Sequence, residues 1–278
     1  MKKILSILGF ATLLALNYTI TQETKTVMQE QDQIMITIKE NLDKYKQDPI
    51  DAKIENNTII PGINGKEIDI NETYEQMKKI GKFNEKYIKY KQTKPKITQE
   101  FQYDKYIISG NKQKNTISLI FIVKENDKIE NIKNTLEKNK VKATFFIEKE
   151  WLKQNKTQVY ELQQEGNTIG ILNKNTNYEI TELNQITQQK TKYCYAETEN
   201  KNNIKICAQQ KHYTIKPKIT IESQPLKQIK QTLEPGELIT IKINEQTEQE
   251  LNLIINYIKT KGYNIETIEQ HLSEKNTN

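Results

Sequence analysis

Lys142-Ala143-Thr144-Phe145-Phe146-Ile147 is a short apolar run with aromatic and β-branched side chains, the pattern of a buried strand. Upstream, Ile117 to Val123 is nearly continuous in apolar residues, as a strand covered on both faces would be. Between the two lies a charged helical stretch, 127–138. Downstream, 151–164 reads as a helix carrying Leu152, Val159 and Leu162, with Gly166 at its end and a third strand over 168–172. The alternation returns near the C-terminus, with a strand over 238–243, an apolar helix over 251–258 stopped by Gly262, and a short strand around Ile265. This β-α order predicts an α/β fold with a parallel sheet or barrel and helices outside it.

The segments before residue 116 are more polar. Ile34, Ile38, Leu42 and Tyr45 recur at near-helical spacing, which suits an amphipathic helix or stalk. Asp69 or Asn71 can cap a helix bearing Tyr74, Met77 and Ile80, with Gly81 at its end. Residues 21–115 are expected to form a polar region with a small α+β module, and 90–115 a connecting segment. Lys2 and Lys3 precede an apolar run from Ile4 to Leu16, so residues 1–20 read as a signal peptide or membrane anchor. Export places the chain on the outer face of the cytoplasmic membrane or in the cell wall. There Cys194 and Cys207 can pair in a disulfide, the alternative being two buried thiols.

The 278 residues carry a net charge of +6, supplied by lysine with no arginine at all. Arginine is the favoured reader of phosphate and base edges, and acidic residues are interleaved throughout, so a nucleic-acid partner is not expected. The chain has no phosphate-cradling glycine loop, no nucleophile elbow and no marked glycosidase carboxylate pair.

The 142–147 run resembles a marker strand of the polysaccharide deacetylases, the NodB-homology family. Glu165-Gly166-Asn167-Thr168-Ile169-Gly170, Pro235-Gly236-Glu237-Leu238-Ile239 and Lys261-Gly262-Tyr263 resemble further motifs of that family, in its order. The resemblance covers about 116–272 and implies a distorted (β/α) barrel. It also implies metal-assisted hydrolysis of an N-acetyl group, which this chain departs from. Two aspartates of the family, a base and a metal ligand, match Ile122 and Val123. Its two metal-binding histidines match Leu172 and Thr176, and its later histidine matches Lys242. The family's arginine-bearing segment falls around Tyr193-Cys194-Tyr195.

Only His212 and His271 remain in the whole chain, and His271, among acidic and amide neighbours, reads as a surface residue. No catalytic residue, metal ligand or cofactor is therefore expected. Lys124, Asn173, Tyr195 and Lys242 are the candidate ligand pocket. Glu125, Asp127, Asn173 and Asn175 read as solvated loop residues, the alternative being a weak oxygen site for a hard cation. The resulting expectation is a cell-envelope deacetylase homologue, catalytically inactive, that binds cell-wall glycan or an envelope protein. The competing one is a divergent active deacetylase using a divalent metal on a carbon–nitrogen, non-peptide bond of an N-acetylated polysaccharide such as peptidoglycan.

Overall fold

The computed structural model describes residues 29–172 and 177–276, with the side chains of 177–179 left out. The expected export segment, Asn173, Asn175 and Thr176 lie outside the described residues. None of the described helices is long and apolar enough to cross a membrane.

The described residues divide into two compact units. The smaller comprises residues up to 49 together with 64–93. Its core is built on Met35 and Ile38 of the helix Gln33–Glu40, Tyr74 and Met77 of the helix Ile70–Ile80, and Ile68 and Ile88. Asp69 accepts the Glu72 amide at 3.0 Å and Gly81 closes the second helix with φ +76°, a conformation that suits glycine.

The larger unit, 50–63 and 94–278, holds strands β1 (Lys53–Glu55), β2 (Thr58–Ile60), β5 (Tyr106–Ile107), β6 (Thr116–Val123), β7 (Thr144–Ile147), β8 (Thr168–Leu172), β9 (Tyr193–Tyr195), β10 (Tyr213–Ile215), β11 (Ile219–Ile221), β12 (Leu238–Lys242) and β13 (Asn264–Ile265). The remaining two, β3 (Gly65–Ile68) and β4 (Tyr90–Thr93), form an antiparallel pair in the smaller unit. In the larger unit the sheet runs β1-β2-β5-β10-β9-β8-β7-β6-β12-β11, with β13 also paired to β6. Every pairing except β1–β2 is parallel, and the sheet curls into an open barrel, as expected for this fold.

Side-chain alternation sorts the strands into two cores. Ile117, Leu119, Phe121 and Val123 of β6, with Phe145 and Ile147 of β7, face outward against the helices. Ile120, Phe146, Leu172, Tyr193, Tyr195, Ile215 and Leu238 fill the barrel, and Ile268 and Leu272 plug it from the C-terminal helix. Gly170 lets the Phe146 ring cross the strand. A β-carbon there would lie 2.4 Å from the ring and 2.8 Å from the Tyr193 carbonyl. Gly170→Ala should cost about 1–3 kcal/mol by overpacking, read as a lower urea midpoint at unchanged m-value.

Several expectations change. Residues 53–60 and 106–107 belong to the barrel sheet and not to a separate module before residue 116. Ile59 and Ile107 are buried there, the Ile59 carbonyl accepting the Ile108 amide and the Ile107 carbonyl accepting the Lys216 amide. The 90–115 connector thus contains strands of both units. The helix over 151–164 is two, Lys149–Gln154 and Lys156–Gln164, broken at Asn155. His271 is not on the surface: it is 1% exposed. Its helix, Ile268–His271, is held over the barrel end by Ile268 and Leu272, so the next position turns inward with them. Cys194 of β9 and Cys207 of the helix Lys201–Gln209 are joined by a disulfide inside the outer core.

Candidate functional site

The upper, C-terminal ends of the strands open into a cleft of about 230 Å³. Because inward and outward residues alternate, each strand contributes a predictable side chain: Ile122 from β6, Tyr195 from β9, Thr220 from β11, Thr240 and Lys242 from β12. The loops just beyond add Lys124, Asp127, Glu197 and Glu222. Three of the four candidate pocket residues, Lys124, Tyr195 and Lys242, thus line one cleft. Thr220, Glu197 and Glu222 were missed because β9 and β11 are only three residues long and left no clear periodic signal.

The floor is aromatic and aliphatic. The Tyr195 ring lies 5.1 Å from that of Phe146, and its hydroxyl shares a 3.0 Å hydrogen bond with Thr240. Burial raises the Tyr195 phenol above its usual range, so it stays protonated and can donate but not serve as a base. The rim is charged and paired. Lys124 meets Glu197 at 3.1 Å, joining the ends of β6 and β9, and Lys242 sits 3.7 Å from Glu222. Both pairs are about half exposed or more, so each is worth little and a ligand can displace it cheaply. Asp127 accepts the Lys124 amide at 2.7 Å, and its carbonyl accepts the Trp151 indole at 2.9 Å, which fixes the loop.

A divalent metal needs convergent imidazole and carboxylate donors. The donor set does not fit. Ile122 presents an aliphatic side chain to the cleft, Val123 points away into the outer core, and Leu172 is packed in the barrel. Neither histidine compensates. His271 lies under the barrel against Ser118, whereas His212 precedes β10 in phase with Thr214, opposite in direction to Tyr213 and Ile215 of the barrel interior. Among the described residues no three His, Cys, Asp or Glu side chains gather to hold a metal. The Glu125 backbone amide donates to the Glu148 carboxylate at 3.1 Å.

Residues 109–231 match the family model for polysaccharide deacetylase. Over 292 residues the chain is 29% identical to the uncharacterized protein YlxY of Bacillus subtilis, covering 94% of this chain and 90% of that one. Among solved structures it resembles BA3943 of Bacillus anthracis, a CE4 family pseudoenzyme, at 24% identity and a TM-score of 0.66, over 89% of this chain and 97% of that one. A mutant of BA3943 has been crystallised as a pseudoenzyme with restored enzymatic activity. The Bc1960 peptidoglycan N-acetylglucosamine deacetylase shares the fold at 20% identity and a TM-score of 0.53, over 62% of this chain and 95% of that one. The matched segment and the curled, largely parallel sheet lead to one statement: the chain resembles the polysaccharide deacetylases in fold, with Ile122, Val123 and Leu172 at positions where the resemblance places polar base and metal-binding residues.

Proposed function

We propose that this protein is an exported, catalytically inactive deacetylase homologue whose cleft binds cell-wall glycan. The observation that carries this reading is the contrast within one cleft. The cleft has an aromatic floor and the hydrogen-bonding Tyr195, Thr220 and Thr240, while the positions that the resemblance makes hydrolytic hold Ile122, Val123 and Leu172. Binding needs the former; splitting an amide through a metal-bound water needs the latter to be polar. The likeness to a CE4 pseudoenzyme and to a peptidoglycan deacetylase supports both halves. Export rests on the basic and apolar N-terminus and on a disulfide that a reducing cytoplasm would not sustain.

With zinc, cobalt or manganese added, the purified protein should release no acetate from N-acetylglucosamine oligomers. It should bind them in calorimetry, with Lys242→Ala weakening that binding about fivefold. Acetate release above a protein-free control would instead establish a divergent deacetylase. Absence of binding would remove the glycan reading.

A further inference from the structure

The end of the barrel opposite the cleft carries a second set of features that the deacetylase scaffold does not explain. Four aromatic rings follow one another there: Phe101, Tyr103, Tyr213 and Tyr193, with successive centroids 6.5, 4.8 and 6.2 Å apart. The row runs from the surface inward. Phe101 is 74% exposed, Tyr103 and Tyr213 are half-buried, and Tyr193 is buried.

Phe101 is doubly costly to folding. Its ring stays in water, and its φ of +67° is a left-handed conformation that a bulky residue rarely adopts. The turn that imposes this is firmly tied. The Gln102 amide donates to the Gln99 carbonyl, the Gln99 amide donates to Glu274 at 2.9 Å, and the Gln99 side chain donates to the Leu272 carbonyl at 2.8 Å. A rigid turn thus holds a phenyl ring out to solvent.

At its inner end the row meets a groove. Tyr193 lines a recess with Gln163, Gln189, Lys190 and Glu269, and this opens into a polar trough of about 420 Å³ that adds Gln270. The side chains of Gln189 and Lys190 make no hydrogen bond among the described residues. Carboxamides both donate and accept, so they suit hydroxyl and acetamido groups. Aromatic faces suit the C–H face of a sugar ring. An apolar helix would need an aliphatic floor, and a nucleic acid a clear excess of cations, whereas Lys192 is already paired with Glu269.

We propose that this lower end is a second binding surface, for a linear glycan chain. Sugar rings stack along Phe101 and Tyr103, and the Gln189 and Lys190 side chains hydrogen-bond the chain where it enters the groove. The inference does not depend on ligand binding in the upper cleft.

The full chain, titrated calorimetrically with N-acetylglucosamine hexamer, should take up two oligomers per protein if the cleft also binds. Phe101→Gly should raise Tm by about 2–4 °C, because glycine relieves the left-handed residue. The same substitution should weaken the lower site about tenfold, leaving one tight oligomer per protein. Lys242→Ala should affect only the other site. Binding lost in Lys242→Ala but intact in Phe101→Gly would overturn this proposal while leaving the cleft reading standing. The reverse pattern would support this proposal and count against the cleft. A fall of both Tm and affinity in Phe101→Gly would show that the ring is there for packing and would also overturn it, as would a wild type that binds no hexamer.

Discussion

Stability should fall by roughly 4 kcal/mol between pH 6.5 and pH 3 on account of His271 alone. Its Nδ1 lies 2.9 Å from the Ser118 hydroxyl oxygen, which itself reaches the Glu266 carbonyl at 2.7 Å. That carbonyl can only accept, so the serine proton points to it and the imidazole Nδ1–H donates to the serine. Nε2 is then the unprotonated nitrogen. It is buried without a partner, against Gly110, where a β-carbon would lie 2.2 Å away. A proton added at Nε2 would find no acceptor.

Burial, and after it the Lys114 ammonium nearby, therefore pushes the His271 pKa down to about 3. The folded pKa lies below the unfolded value of about 6.5, so the unfolded chain binds the extra proton first. The stabilisation is complete above about pH 6.5 and is lost progressively as pH falls toward 3. Urea unfolding of wild type and His271→Leu at pH 8, 6, 5 and 4 checks this. The variant should lose little at pH 8, since Ser118 keeps its bond to Glu266, and the difference between the two curves should close and reverse with acidification. Parallel profiles would mean that His271 takes up its proton in the folded state.

Reducing the Cys194–Cys207 disulfide should cost about 3 kcal/mol. The two residues are 13 apart in sequence, a loop for which the chain-entropy account gives about that value. For a unit of this size the loss should appear as a Tm lower by roughly 6–12 °C. Both sulfurs are buried, and the bond staples β9, whose Tyr193 and Tyr195 face the two ends of the barrel, to its covering helix. The Cys194→Ala/Cys207→Ala variant should match the reduced protein and be insensitive to dithiothreitol. Equal melting with and without reductant would show that helix packing alone holds β9.

The α/β class was legible because long strands leave long signatures. Ile117–Val123, Ala143–Ile147 and Leu238–Ile243 are apolar enough to be read one at a time, and each lies within or overlaps a central strand of the sheet. The departure from the family's histidine set was legible for a simpler reason: a side chain's chemistry does not depend on where it points, and two histidines in 278 residues cannot fill three histidine positions wherever they fall. Placement was another matter. β9, β10 and β11 have three residues each, too few to show a period, so Thr220, Glu197 and Glu222 entered the cleft unannounced. β1, β2 and β5 gained their place at the sheet edge through pairing with partners distant in sequence, which local pattern does not record.

His271 shows the division at a single residue. Its neighbours Glu269, Gln270 and Glu274 gave the segment a surface character, and Lys192 and Gly62 do take up two of those carboxylates. The imidazole itself turns inward because Ile268 and Leu272 on the same short helix seek the barrel. The sequence alone determined which reactive side chains the fold has at its disposal. The tertiary structure alone decided which of its polar groups are buried and which line a cleft, because burial is set by long-range packing of strands too short to announce themselves.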